Sequence, residues 1–272
     1  MKRTFASAVL LLAALGALLA AQAVNVGYTD TPMQPNGKWH IHDPARPQPA
    51  VVTPAGAEGP VIAPPSDAIV LIGRGQDLAA WSMMDGKPAT WDIADGVAAT
   101  GKGMIRTKQD FADVQLHVEF QTPAIVAGNS QDRGNSGVYL MGAFEIQVLD
   151  SYQNRTYADG SAAAMYGQFP PLVNASRKPG QWQAYDIVFA APRFRPSGEL
   201  AKPAIVTVLH NGVVVHHATA FYGPTQHRRI DPYSSAIFKM AGGLARGPVA
   251  LQDHGNPIHY RNVWLREIEE DE

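Results

Sequence analysis

Two short stretches of the chain alternate strictly between apolar and polar residues. In the stretch 144–150, Phe144 and Ile146 alternate with Glu145 and Gln147. A β-strand sends successive side chains to opposite faces, so one face would pack on a core while the other carries an acid and an amide. We therefore predict a strand at 144–150 whose polar face holds a polar ligand.

The stretch 115–121 repeats this pattern, with Leu116, Val118 and Phe120 on the apolar face and Glu119 on the polar face. If both strands belong to one sheet, Glu119 and the acid of the first stretch would face a common groove. Paired carboxylates with separated pKa values suit general acid and base catalysis. A solvated polar face of the sheet is the alternative.

The rest of the pattern also predicts strands. Asn211-Gly212 joins two apolar runs within 204–221, and Asn-Gly fits the positive φ angles of a type I′ hairpin turn. Further strands are predicted at 183–189, 249–252 and 260–268. No segment beyond the first 23 residues has an amphipathic helical period. With 25 glycines, 21 prolines and 46% hydrophobic residues, the chain is typical of an all-β domain with many turns.

The first 23 residues indicate export. Lys2 and Arg3 precede an apolar run at 6–21, and 21–23 read Ala-Gln-Ala, a small-residue cleavage pattern. We predict a cleaved signal peptide and a secreted or periplasmic protein without membrane contact. A membrane anchor is the alternative, but the run is near the short end for a span and no stop-transfer flank follows.

We predict a Pro-rich extended leader arm at residues 24–65, because this stretch contains nine prolines and has no strand or helical period. Within it, Trp39 either attaches the arm to the domain surface, or His40, His42 and Asp43 bind a metal or line a site. The remaining globular domain is predicted to span 66–270.

Charge and cysteine content narrow the range of partners. A net charge of −2 with scattered Lys and Arg provides no basic surface for nucleic acid, which is therefore not an expected partner. No cysteine is present, so the core must stabilise the exported protein without disulfides. The sequence also lacks the GxSxG, P-loop, HExxH, dinucleotide-binding and EF-hand motifs.

Other polar residues are candidates for a site. Gln252 lies in a predicted strand and His254 precedes a Gly-Asn-Pro turn, where it either displays a reactive imidazole or caps the turn. Lys239, between two apolar residues, either stabilises a developing oxyanion or extends into solvent. Asp150 has an odd separation from Glu145 and so faces the other way unless a bulge intervenes; capping of the next turn is the alternative.

Five motifs in order give the chain a resemblance to a known family. They lie at 135–139, 145–152, 180–186, 210–212 and 251–257. Together they resemble the 3-keto-disaccharide hydrolase family over roughly residues 66 to 269. The resemblance implies a concanavalin-A-like jelly-roll β-sandwich with a carbohydrate site on its concave face. It also implies a small carbohydrate substrate, a glycoside whose C3 hydroxyl is oxidised to a ketone.

A 3-keto group acidifies the hydrogen on C2, so a base could remove it, the aglycone could leave C1 by elimination, and water could then add. Our hypothesis makes Glu145 or His254 the base and Glu119 the acid, with Lys239 or a bound divalent cation stabilising the enolate. The sugar hydroxyls would be oriented by Asn135, Tyr139, Gln147 and Gln252. Cation ligands are not identified, because Asp253, Asp150 and the group His40, His42 and Asp43 lack diagnostic spacing.

Two other functions remain open from the sequence. A noncatalytic carbohydrate-binding module would use the same sandwich and polar groove. A hydrolase of unoxidised glycans would need two carboxyls about 5 to 9.5 Å apart across the scissile bond. The strand at Glu145 resembles the E-x-D-x-x-E strand of retaining sandwich glycosidases, but Gln147 and Asp150 replace its middle and last acids. This difference argues against double-displacement chemistry.

Overall fold

The structure is a computed structural model that describes residues 26–56, 62–73, 75 and 78–269. The signal peptide predicted at 1–23 lies outside the described residues. Across the described ranges, no helix has the length and apolar character needed to cross a membrane.

Strands dominate the described residues, which form 21 strands and three 3₁₀ helices, Ser130–Asp132, Ala158–Gly160 and Ser235–Ile237. The first eleven strands are β1 Ala50–Val51, β2 Ile69–Ile72, β3 Trp81–Met83, β4 Asp92–Ala94, β5 Val97–Ala99, β6 Ile105–Thr107, β7 Val114–Gln121, β8 Asn135–Leu140, β9 Phe144–Leu149, β10 Val173–Asn174 and β11 Trp182–Ala190. The others are β12 Arg193–Phe194, β13 Leu200–Lys202, β14 Ile205–His210, β15 Val213–Ala220, β16 Thr225–Gln226, β17 Arg229–Ile230, β18 Lys239–Ala241, β19 Leu244–Arg246, β20 Ala250–Leu251 and β21 His259–Glu267.

Two antiparallel sheets form the sandwich. One has eight strands in the order β15-β14-β11-β7-β21-β5-β4, with β2 also paired to β21, and the other has five in the order β3-β6-β20-β8-β9. The predicted all-β jelly-roll sandwich is confirmed. Strands occur in every stretch where the alternation predicted one, including the hairpin of β14 and β15 around Asn211-Gly212.

The core lies between the apolar faces of the two sheets. Leu116, Val118 and Phe120 of β7 and the alternate residues of β9 are fully buried, as their period predicts. Phe144 of β9 is at the centre of an aromatic cluster, with its ring centroid 5.0 Å from that of Phe221 and 5.9 Å from that of Phe189. Because these apolar faces meet, the polar faces of β7 and β9 lie on opposite outer sides of the sandwich.

The N-terminal arm, defined here as residues 26–56, packs on the sandwich. Its strand β1 pairs in parallel with β10. The hydroxyl of Thr31 donates to the carbonyl oxygen of Ile41 at 2.6 Å, and Ile41 and His42 are fully buried. Trp39 is only half-buried. The attachment that the sequence assigned to Trp39 therefore falls mainly on its neighbours Ile41 and His42.

An irregular segment covers the free edge of β9. The backbone N–H of Gln147 donates to the carbonyl oxygen of Ala164 at 2.9 Å, and that of Ala163 donates back to Gln147 at 2.8 Å. Met165 forms an isolated bridge with Ile146. An uncovered edge strand exposes unpaired backbone groups, so this cover stabilises the sheet. It also brings Tyr166 beside the polar face of β9.

Phe144→Ala should destabilise the fold strongly, because it removes a fully buried ring from the aromatic cluster. We expect the free energy of unfolding to fall by roughly 3–5 kcal/mol, measured by urea denaturation. Val188→Ala is the matched control, since Val188 is 48% exposed on the outer face of β11. Equal losses in the two variants would contradict this description of the core.

Candidate active site

A polar cavity of about 290 Å³ lies on the outer face of the five-stranded sheet. The register of β8 and β9 places Tyr139 opposite Glu145 and Gly137 opposite Gln147, so these positions share one face. Beyond the end of β20, the backbone N–H of Gln252 donates to the carbonyl oxygen of Gly137 at 3.0 Å and extends the polar surface. Three neighbouring strands thus build the floor of the cavity.

Glu145 is the most perturbed acid of this floor. Its side chain is buried, with 3% exposure, and Oε2 accepts a hydrogen bond from the Tyr139 hydroxyl at 2.8 Å. Burial raises the pKa of Glu145 to about 8, and the hydrogen bond from Tyr139 only partly opposes this rise. The carboxyl group therefore carries a proton through most of the neutral range and becomes a comparatively strong carboxylate base above it.

Amide side chains surround this carboxyl. With its nitrogen turned toward Glu145, the Gln147 amide donates to Oε1 at 3.2 Å and to the carbonyl oxygen of Ser136 at 2.8 Å. In the opposite orientation the amide nitrogen donates to Oε1 of Gln131 at 3.0 Å instead. Asn135 donates to the carbonyl oxygen of Gln131 at 2.8 Å, and its own Oδ1 has no partner among the described residues. The floor therefore offers donors and acceptors of the kind that bind sugar hydroxyls.

Gly137 makes room for the Glu145 carboxyl. A Cβ atom at this position would lie 2.4 Å from Oε1 of Glu145 and 2.9 Å from Cε2 of Tyr139. Such contacts are shorter than non-bonded atoms tolerate, so glycine is needed here for close approach. The glycine in the sequence motif at 135–139 thus has a direct steric reason.

One wall of the cavity comes from Tyr166 and His227, which the sequence did not single out. The Tyr166 hydroxyl lies 2.9 Å from the Tyr157 hydroxyl and 3.2 Å from Nδ1 of His227. Burial raises the pKa of the Tyr166 phenol, which therefore keeps its proton. Burial, followed by the charges of His42, Arg228 and His254, lowers the pKa of His227. Tyr166 lies in an irregular segment, so no period could mark it.

The structure brings six predicted site residues together. The cavity is lined by Asn135, Tyr139, Glu145, Gln147, Gln252 and His254. Gln252 donates from Nε2 to the Tyr139 hydroxyl at 3.3 Å, and His254 is exposed at the rim. The neighbouring Asp253 accepts backbone hydrogen bonds from Gly103 at 2.9 Å and Gly255 at 2.8 Å, which fix the loop that carries His254.

Glu119 does not join this group, and the predicted common groove with Glu145 is wrong. Its strand β7 belongs to the eight-stranded sheet, and the polar face of that sheet points away from the cavity. There Glu119 accepts hydrogen bonds from Arg261 Nε at 2.6 Å and Asn262 Nδ2 at 2.8 Å. Burial would raise the pKa of Glu119, but its bonds with His117, Asn262 and Arg261 outweigh that effect and lower it.

Lys239 is also outside the cavity. It begins β18 in a separate four-stranded sheet, where its side chain is 80% exposed and pairs with Asp110. Of the two alternatives predicted for Lys239, the structure therefore shows the extension into solvent. The pairing gives no support to the predicted role of Lys239 in stabilising an enolate.

The candidate metal ligands have other partners. Asp150 pairs with Arg133 and accepts from the backbone N–H of Tyr152 at 3.2 Å, so it caps the turn after β9. His40 bonds the carbonyl oxygen of Thr31 through Nδ1. Across the described ranges, no three His, Asp, Glu or Cys side chains converge as a metal site. These residues therefore do not define a cation site.

Comparison with known proteins places these features in a family context. Residues 67–266 match the profile of the 3-keto-alpha-glucoside-1,2-lyase-like domain. The fold matches a provisionally assigned glycosyl hydrolase from Parabacteroides distasonis ATCC 8503 with 44% identity and a TM-score of 0.70, covering 82% of this chain and 94% of that one.

Two further crystal structures of provisionally assigned glycosyl hydrolases from the same organism share the fold at lower identity. One has 16% identity and a TM-score of 0.52, covering 77% of this chain and 99% of that one. The other has 19% identity and a TM-score of 0.50, with 74% and 99% covered. A comparison with curated proteins gives no match.

Glu145→Gln should stabilise the protein in a pH-dependent way. The pKa of Glu145 is raised from 4.5 to about 8. The stability that the protonated carboxyl contributes to the fold is therefore fully present below pH 4.5 and is lost as the pH rises to 8. Glutamine has no such loss, and we expect a gain on the order of 5 kcal/mol in the free energy of unfolding above pH 8, followed as the melting temperature across the pH range.

Glu119→Gln is the matched control and has the opposite sign. The lowered pKa of Glu119 contributes stability above its unfolded value, so this variant should melt below the wild-type protein at pH 7. A Glu145→Gln variant that also melts lower at pH 8.5 would contradict the described environment of Glu145.

Gly137→Ala should disturb the cavity more than the fold. The added methyl group would push the Glu145 carboxyl away from Tyr139, because a Cβ atom here would lie only 2.4 Å from Oε1. Because the hydrogen bond from Tyr139 lowers the pKa of Glu145, its loss should raise that pKa further, as followed by NMR of a ¹³C-labelled Glu side chain. An unchanged titration in a folded variant would show that Gly137 is not required.

Proposed function

The chain belongs to the 3-keto-alpha-glucoside-1,2-lyase-like family, and we propose that it cleaves 3-keto-glycosides by eliminating the aglycone across C1 and C2. The observation that carries this proposal is Glu145, a buried carboxyl with a pKa raised to about 8 on the floor of a polar cavity. A base with a pKa near the working pH is suited to proton abstraction.

The proposed reaction has two stages. The base first takes the proton from C2, next to the C3 ketone, and an enolate forms. The C1–O bond then breaks as the C1–C2 double bond forms, and the aglycone oxygen takes up a proton. In the second stage water adds across this double bond, with hydroxyl on C1 and hydrogen on C2, and a free 3-keto sugar results. The overall outcome is hydrolysis of the glycosidic bond.

Glu145 is the proposed base. Its carboxylate is buried and lacks an ion-pair partner among the described residues, so uptake of a proton stabilises the group. The Tyr139 hydroxyl donates to Oε2 at 2.8 Å, and Oε1 faces the amides of the floor. His254 at the rim remains the alternative base, since it lines the same cavity.

The leaving group needs a proton donor, and we assign this role to Tyr166. Its phenol keeps a proton at neutral pH, and Nδ1 of His227, whose pKa is lowered by burial, lies 3.2 Å from the phenol oxygen. With its proton on Nδ1, the neutral imidazole would donate to the phenolate oxygen that remains after Tyr166 has given its proton to the aglycone. This assignment replaces Glu119, which lies on the other sheet.

The enolate oxygen would be stabilised by uncharged donors. Gln147, Gln252 and Asn135 line the floor with amide groups, and fixed donors in a site with little water stabilise developing charge effectively. Lys239 is not needed in this scheme. We route no step through a cation, because the described residues do not define a site for one.

A noncatalytic carbohydrate-binding module is the second candidate. The five amides that line the cavity favour sugar binding as such: Gln131, Asn135, Gln147, Gln226 and Gln252. In that case a sugar would bind without turnover. Secretion or export to the periplasm stays a prediction in either case.

The decisive measurement compares release of the same aglycone from a glucoside and from its 3-keto form. We expect release only from the 3-keto form, with kcat/KM rising as Glu145 ionises and levelling above pH 8. Glu145→Gln should lower kcat by about 10²–10⁴-fold. In D₂O the product should carry deuterium at C2, after subtraction of the exchange seen with 3-keto-glucose alone.

Lys239→Ala is the matched control, because its side chain is exposed and remote from the cavity. Its kcat should stay within about twofold of wild type. Unimpaired release by both Glu145→Gln and His254→Ala would overturn the assignment of the base. Binding of the 3-keto-glucoside without release would favour the binding module, and equal cleavage of the unoxidised glucoside would indicate an ordinary hydrolase.

A further inference from the structure

The N-terminal arm places a buried histidine behind the Tyr166 wall of the cavity. His42 has no exposed surface and a φ of 60°, which is uncommon for a residue with a side chain. Its ring centroid lies 4.1 Å from that of Tyr157 and 4.8 Å from that of Tyr166. A costly backbone conformation persists only where the surroundings enforce it, so the contacts around His42 are specific.

Asp159 holds this histidine in place. Its Oδ2 accepts from the backbone N–H of His42 at 3.0 Å and from Nε2 of Gln34 at 3.1 Å, and Oδ1 lies 3.2 Å from Nδ1 of His42. Arg46 adds a positive charge 3.5 Å from Oδ2. These partners all come from the arm, and Asp159 belongs to the 3₁₀ helix that directly follows Tyr157. The arm therefore fixes the position of Tyr157.

The orientation of the imidazole follows from the same carboxylate. Nδ1 faces Asp159 and donates to it, since a carboxylate oxygen accepts. Nε2 is buried and has no hydrogen-bond partner among the described residues. His42 is thus held by one nitrogen and by contact of its ring with two tyrosines.

The contacts continue from Tyr157 to the cavity. The hydroxyls of Tyr157 and Tyr166 are 2.9 Å apart, and the backbone N–H of Tyr166 donates to the carbonyl oxygen of Glu145 at 3.2 Å. A Cβ atom on the adjacent Gly167 would lie 3.4 Å from Cε1 of His42, so the arm fits closely against this segment. Movement of His42 would therefore change the position of the Tyr166 phenol.

We propose that the N-terminal arm completes the active site, with His42 as a positioning residue that holds the Tyr166 phenol through Asp159 and Tyr157. This inference rests on the proposed function. An arm that served only for attachment could do so with apolar side chains, whereas this contact buries a charged carboxylate and its partners. Buried ion pairs add little net stability after desolvation, and their use here is to fix geometry.

The test uses two substitutions of His42 in the full chain. His42→Phe keeps a ring but loses the donor to Asp159, and we expect kcat on the 3-keto-glucoside to fall about tenfold or more with KM within about threefold. His42→Asn keeps an N–H near the Nδ1 position and should recover much of kcat. The dependence of kcat on pH should shift in His42→Phe. The titratable and charged groups that face the changed site are Asp159, Arg46, Tyr28, Tyr157, Tyr166 and His227.

His210→Phe is the matched control, because His210 is another buried histidine, 1% exposed and bonded to Gln183 in the eight-stranded sheet. It should lower the melting temperature without a selective fall in kcat. A double-mutant cycle tests the route through Tyr166. In a Tyr166→Phe background, His42→Phe should lower kcat no further, and effects that multiply in full would overturn the proposal.

A second measurement is independent of turnover. The ¹³Cζ signal of Tyr166 in tyrosine-labelled protein, assigned with Tyr166→Phe, should shift in His42→Phe and return toward wild type in His42→Asn. If the wild-type protein releases no aglycone but this signal follows His42, the proposed function fails and the positioning role stands. If the signal does not respond in a folded His42→Phe variant, the positioning role is wrong whatever the activity.

Discussion

The burial of Glu145 is the constraint on which the rest of the site depends. Its strand turns an apolar face to the core and a polar face outward, yet both faces are covered, and the carboxyl is 3% exposed. Burial makes the ionised carboxylate unfavourable, so the group keeps its proton until about pH 8. A common acid thus becomes a base of unusual strength through its surroundings.

Two buried acids on similar strands show why surroundings decide the chemistry. Glu119 and Glu145 are both flanked by apolar residues and both nearly excluded from solvent. Arg261 and Asn262 donate to Glu119, and its pKa falls. The donors to Glu145 are the hydroxyl of Tyr139 and the amide of Gln147, neither of which carries a charge, and its pKa rises. The first acid is a fixed charge in a polar network, and the second exchanges its proton near neutrality.

The sequence predicted the faces of the strands but not the partners of those faces. A period of two residues fixes which side chains share a side of one strand, and for β7 and β9 this was correct. The period carries no information about which sheet a strand joins, so Glu119 was placed in the wrong groove. Tyr166 and His227 lie in irregular segments, where only the fold itself brings them to Glu145.

The arm shows the same limit at longer range. Its prolines predicted an extended segment, and the sequence marked His42, but the partner Asp159 lies 117 residues away. A local pattern carries no information across such a separation, so only the folded sandwich brings the two residues together. The arm packs on the sandwich through polar contacts around Asp159 that order the wall of the cavity. In the proposed function, reactivity would thus depend on these long-range polar contacts as well as on the apolar pattern that builds the sheets.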